Sequence, residues 1–111
     1  MTNSRIDKLQ IRISEHVSTW IVQNMSSDAN LLVTTIQSVQ IAKDLSFAKV
    51  FITCANDADS ACQVLNEKKK AIRQYLSIKM TLKKVPELTF LIDHKFAALQ
   101  RINNMFDKNK L

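Results

Sequence analysis

Glycine is absent from all 111 residues of this chain. A P-loop, a dinucleotide-binding fingerprint and a nucleophile elbow each use glycine to bring backbone against a phosphate or round a tight turn, so the sequence argues against all three. Turns that require a positive φ must use Asn or Asp instead; the candidates are Asp28, Asn30, Asp44, Asn56 and Asp57. Proline occurs once, at Pro86. The two cysteines, Cys54 and Cys62, and the two histidines, His16 and His94, do not have metal-site spacing. No metal or other cofactor is expected, and both thiols read as reduced cytosolic cysteines in packing or surface roles. No apolar run approaches the ~18 residues of a membrane helix, and Met1 to Gln10 hold Asp7 and no apolar block. Neither a membrane segment nor a signal or transit peptide is expected, which places the protein in the cytoplasm.

What is present is ordinary for a globular protein: 46% hydrophobic and 23% charged residues. The length suits a single domain over 1–111. The charge is uneven. Residues 1–67 hold five basic and seven acidic side chains, whereas residues 68–111 hold eleven basic and three acidic. Between Lys68 and Lys84 there are seven bases and no acid: Lys68, Lys69, Lys70, Arg73, Lys79, Lys83 and Lys84. Such a stretch attracts phosphate backbones or other polyanions; its plainer reading is a solvated face.

Apolar periodicity gives the elements. Ile6, Leu9, Ile13, Val17, Trp20 and Ile21 predict a helix from Ser4 to about Asn24, capped by Ser4. Leu31 to Ile41, rich in Val, Thr and Ile, predicts a strand. Phe47 to Cys54 alternates, with Ala48, Val50, Ile52 and Cys54 on one face, and Lys43 to Ser46 form the hairpin turn. A helix is expected from about Ser60, with Ser60 and Gln63 as a weak capping box, and helical spacing resumes through Ile72, Tyr75 and Leu76. Pro86 opens a third strand on Leu88, Phe90 and Ile92, and Phe96, Leu99, Ile102 and Phe106 predict a final helix. The order α-β-β-α-α-β, with a C-terminal helix, predicts an α+β fold in which a three-stranded sheet packs on helices. This is the type II order of a KH-like domain. The long crossover into the third strand allows a parallel pairing there.

The run Asp44-Leu45-Ser46-Phe47-Ala48-Lys49-Val50-Phe51-Ile52 resembles the hairpin of the ribosome-binding factor A family. Ile72-Arg73 with Leu76, and Val85-Pro86-Glu87-Leu88-Thr89-Phe90 closed by Asp93, are similar to further segments of that family. The resemblance spans about residues 4–106. It implies a bacterial assembly factor, not an enzyme, that binds the small (30S) ribosomal subunit and its 16S rRNA and aids late maturation and rRNA processing, notably in the cold. A monomer is expected. The family has an Ala-x-Gly helix kink where KH domains have a glycine loop; here Lys68-Lys69-Lys70 occupy that register.

On this reading Lys68, Lys69, Lys70 and Arg73 contact RNA phosphates at a junction of two helices, with Lys69 beside Arg73. Lys79, Lys83 and Lys84 extend the surface, although Lys79 also suits a snorkelling role. Lys49 reaches out from the hairpin. Phe47 and Phe51 are expected to be core covered by helices, with base stacking the alternative. Tyr75 and Trp20 are expected to pack, and His94 to lie at the surface. The competing readings are a KH-like module for another RNA or DNA, and a protein-interaction domain with an acidic partner.

Overall fold

The second strand organises the molecule, and its alternation explains why. In the computed structural model, which describes residues 4–82, 84–95 and 99, β2 (Phe47–Cys54) turns Ala48, Val50 and Ile52 to one side, where all three are fully buried. β1 (Thr34–Ile41) pairs with it antiparallel, from Thr34 opposite Cys54 to Ile41 opposite Ala48. β3 (Glu87–Ile92) pairs with its other edge in parallel, Phe47 opposite Glu87 through Ile52 opposite Ile92. The sheet order is therefore β1-β2-β3, and the parallel pairing is the one the long crossover allows.

Among the described residues, four helices precede β3: α1 (Ser4–Asn24), α2 (Ala29–Leu32), α3 (Ala58–Glu67) and α4 (Lys69–Lys79). One hydrophobic cluster joins the inner face of the sheet to Ile13, Val17, Trp20 and Ile21 of α1, Ala61 and Leu65 of α3, and Ile72 and Leu76 of α4. Each fully buried large aliphatic or Phe side chain contributes about 1.5–3 kcal/mol relative to exposure. α1 lies against β1 and α4, and α3 runs beside β3. Helix side chains satisfy one position on each sheet edge. Gln10 Oε1 accepts from the Ile41 amide at 3.1 Å. On the far edge Asn66 takes both polar groups of Phe90, accepting from its N–H at 2.9 Å and donating to its carbonyl at 3.0 Å. Edge groups satisfied in this way no longer invite a foreign strand.

Several expectations change at the element ends. Leu31 belongs to α2, not to the first strand, because Asp28 caps that short helix by accepting from the Leu31 amide. α3 starts at Ala58 because Asp57, not Ser60, is its N-cap, its carboxylate accepting from the Ser60 amide at 3.0 Å. Asp28 and Asp57 thus cap helices at negative φ, and the positive φ among the described residues falls on Leu45 at 62°. Asp44 holds that turn by accepting from the Ser46 amide and hydroxyl, which leaves the left-handed position to its neighbour.

Phe47 and Phe51 do not lie on the sheet face that packs against the four helices α1 to α4. They share the sheet face opposite to Ala48, Val50 and Ile52, and Phe47 is 48% exposed. The period-two geometry of a strand permits no other outcome once Ala48, Val50 and Ile52 are inside. Of the expected final helix, His94, Lys95 and Leu99 are helical; Phe96, Ile102 and Phe106 lie outside the described residues. Among the described residues no helix is long and apolar enough to cross a membrane.

Candidate nucleic-acid interface

The lysine triplet marks a break between two helices. Lys68 closes α3 with φ −95° and ψ 4°, its N–H reaching the Val64 and Leu65 carbonyls at 3.1 Å each. Its own carbonyl accepts from the Ile72 amide at 3.1 Å, as the first bond of α4. A negative φ in the bridge region is open to any side chain, so this break needs no glycine. Leu65 and Ile72, fully buried on either side, hold the two helices to the core.

The electrostatics of the elbow are one-sided. Lys68 lies at the negative end of α3, where a cation is favourable. Lys69 and Lys70 lie at the positive end of α4, where a cation is unfavourable, and α4 has neither a side-chain cap nor an acid in its first turn. Lys68 and Lys70 are exposed and Lys69 is half-buried. Three lysines in succession at an uncapped helix start make the local potential positive.

The other expected residues are spread around the fold. Arg73 turns toward the lead-in to β3, where Nε donates to the Pro86 carbonyl at 3.1 Å and Nη2 to the Val85 carbonyl at 3.0 Å. The guanidinium therefore clips the segment that places Pro86 and Glu87, alongside any contact it makes to a ligand. Lys79 Nζ sits 5.7 Å from the centroid of the Tyr75 ring, and that ring meets His16 edge-on at 6.2 Å. Lys84 is exposed, and its charge acts on Asp44 in the β1–β2 turn. Lys83 lies outside the described residues. Lys49 projects from β2 between Phe47 and Phe51, opposite Gln40 and Thr89, on the sheet face away from the helices. Lys49 and the elbow thus occupy opposite sides of the sheet.

One carboxyl and one thiol are tuned by the frame. Asp44 is held below its ordinary range chiefly by the Ser46 hydroxyl and then by the Ser46 amide, with a smaller contribution from Lys84. Burial, reinforced by the charge of Asp59, pushes the Cys62 thiol up, and Cys62 donates to the Phe90 carbonyl at 2.8 Å. Cys54 donates toward Asn30. Neither cysteine is in a disulfide. Among the described residues, no three His, Cys, Asp or Glu side chains are grouped to hold a metal ion.

One cationic cluster escapes a regional charge count. Arg5, Lys8 and Arg12 recur at three- and four-residue steps on α1, and with Lys43 of the β1–β2 turn they line a groove of about 510 Å³. The net negative charge of residues 1–67 conceals it, although the spacing of the three α1 residues was a legible signal.

Solved structures share this architecture. The chain matches the crystal structure of ribosome-binding factor A from Thermus thermophilus with a TM-score of 0.70 at 20% identity, covering 78% of this chain and 93% of that one. It matches a homology model of Thermus thermophilus ribosome binding factor A, fitted into a cryo-EM map of a 30S–RbfA complex, with a TM-score of 0.54 at 19% identity, covering 69% and 91%. A Thermotoga maritima protein solved by NMR in solution matches with a TM-score of 0.56 at 16% identity, covering 74% and 84%. At such identities these likenesses establish the KH-like α+β fold. Sequence goes further, because the family model for ribosome-binding factor A matches continuously over residues 5–106. With hairpin, helix break and Pro86-led third strand all inside that match, the chain belongs to the ribosome-binding factor A family.

Proposed function

We propose that this protein is a non-catalytic assembly factor of the small ribosomal subunit. It acts in the cytoplasm as a monomeric, single KH-like domain, binds the 30S particle and its 16S rRNA, and aids late maturation and rRNA processing, with its greatest demand in the cold. The observation that carries this reading is the elbow: three lysines at an uncapped helix start, on the scaffold of a ribosome-binding factor family. A family relative has been fitted into a 30S complex, which supports the small subunit as the partner.

The mechanism follows from charge. Lys68, Lys69 and Lys70 neutralise phosphates and release their counterions, so binding is tight at low salt and largely independent of sequence. Lys79, Lys84 and Lys83 add long-range attraction, and Arg73 keeps the β3 lead-in in register beside them. Lys49, with Phe47 and Phe51 beside it, offers a second surface on which unpaired bases can stack.

Co-sedimentation with purified small subunits tests this. Lys68→Gln/Lys69→Gln/Lys70→Gln should fold normally, bind at least ten-fold more weakly at about 0.1 M salt, and reduce the log–log salt slope by about 2–3. Arg73 is left intact because its loss would disturb β3. Parent-like binding by the triple variant would move the site off the elbow.

A further inference from the structure

The groove between α1 and the β1–β2 turn has no place in the reading above. Its cations come from two elements: Arg5, Lys8 and Arg12 from one stripe of α1, and Lys43 from the turn opposite. Among the described residues no acidic side chain lines it, and Leu45 and Leu82 add apolar surface to its lining. Asp7, the acid of the α1 first turn, lines a different groove with Gln10 and Gln37. Lys8, Arg12 and Lys43 are exposed.

This arrangement works against local stability. Like charges at three- and four-residue steps repel one another, and cations near a helix N-terminus oppose its dipole. The apolar surface lowers the local dielectric and lengthens the reach of each charge. An anion beside Lys8, Arg12 and Lys43 would relieve their mutual repulsion.

We propose that this groove is a second phosphate-binding surface, taking the sugar–phosphate backbone of RNA along α1. The inference rests on the RNA-binding function proposed above. Lys8 and Arg12 lie about 6 Å apart along the helix axis, and Lys43 lines the same groove from the turn, so a phosphate backbone laid in the groove passes three exposed cations. Arg12 offers a planar fork that pairs with phosphate oxygens in a bidentate manner. α1 lies over β1 and α3 runs beside β3, at opposite edges of the sheet. The groove and the lysine elbow thus hold two separate stretches of RNA, and one molecule pins them at a fixed distance.

The test compares three full-length variants with the parent on purified small ribosomal subunits over a range of salt. Lys8→Gln/Arg12→Gln/Lys43→Gln removes the groove, Lys68→Gln/Lys69→Gln/Lys70→Gln removes the elbow, and a third variant combines them. The groove variant should retain the parent's far-UV spectrum and melt at or slightly above the parent's temperature, because removing the cations relieves their repulsion. It should bind at least ten-fold more weakly at about 0.1 M salt, with a salt slope shallower by about 2–3. In the combined variant the two losses should multiply, as expected of separate contacts. If the groove variant binds like the parent while the elbow variant weakens, the groove does not take RNA and the elbow reading stands. If the parent itself shows no salt-dependent binding to small subunits, the RNA-binding function fails, and the groove proposal with it. If the groove variant keeps subunit binding but loses binding to poly-glutamate that the parent shows, the partner is an acidic polypeptide and the proposal is overturned.

Discussion

The α3–α4 elbow and the β1–β2 turn meet the same shortage of glycine by different means. At the elbow, Lys68 keeps φ at −95°, within reach of every L-residue, and the helices are rejoined by bonds from Lys68 to Val64, Leu65 and Ile72. At the turn the backbone enters the left-handed region, and Leu45 takes it at φ 62°. Leu45 is held there by the Asp44–Ser46 hydrogen bonds and by its own N–H donating to the Ala42 carbonyl at 2.9 Å. The contrast separates two kinds of chain reversal. A helix break can be seated by packing on both sides, so the family's glycine is dispensable there. A tight hairpin turn is fixed by backbone geometry, so its strain must be held by side chains.

Three measurements break or sharpen this contrast. The largest effect is expected from the seats of the elbow. Leu65→Ala or Ile72→Ala removes a fully buried side chain beside Lys68 and should lower stability by about 2–5 kcal/mol, read as a lower denaturation midpoint at unchanged slope. A loss under about 1 kcal/mol would mean the elbow is not seated by packing. The second measurement is a sign test that cancels side-chain losses. At position 45, glycine should be more stable than alanine by about 1 kcal/mol, because only glycine enters the left-handed region freely. At position 68 the order should reverse, with glycine below alanine by about 0.5–1 kcal/mol from its greater unfolded-state freedom. Equal signs at the two positions would abolish the distinction. The smallest effect concerns pH. Because the folded carboxyl of Asp44 is held below its ordinary 3.8, the turn's contribution is complete above that value and is lost as pH falls through the lowered one. The Ser46 amide signal should therefore titrate with a midpoint below 3.8. Lys68 and Ile72 amides, at a helix start with no side-chain cap, should not follow it.

Much of the fold was legible because its signals are local and periodic. Ala48, Val50 and Ile52 at every second position, and Ile13, Val17 and Ile21 at every fourth, announce which sides go inside before any partner is known. The cap changes at Asp28 and Asp57 were harder to read, since Ser60 and Asp57 compete for one helix start and the winner depends on neighbours. Asn30 is one such neighbour: its side-chain carbonyl accepts from the Asp57 amide at 3.0 Å, and its amide donates to the Asp57 carbonyl at 2.9 Å, across 27 residues.

The residues of the candidate interface divide along the same line. Sequence by itself determined the order of the main elements, the inward faces and the acid-free run of bases, because each depends on composition or spacing within a short window. The helix boundary at the lysine triplet came from the family resemblance, since apolar spacing there suits one unbroken helix equally well. Only the tertiary structure decided which bases share a surface. It turned Arg73 onto the Val85 and Pro86 carbonyls, put Lys49 on the far side of the sheet and brought Lys43 across to Arg5, Lys8 and Arg12. The physical reason is that a charge acts through space: residues 31 positions apart in the chain, Arg12 and Lys43, line one groove only because β1 folds back along α1.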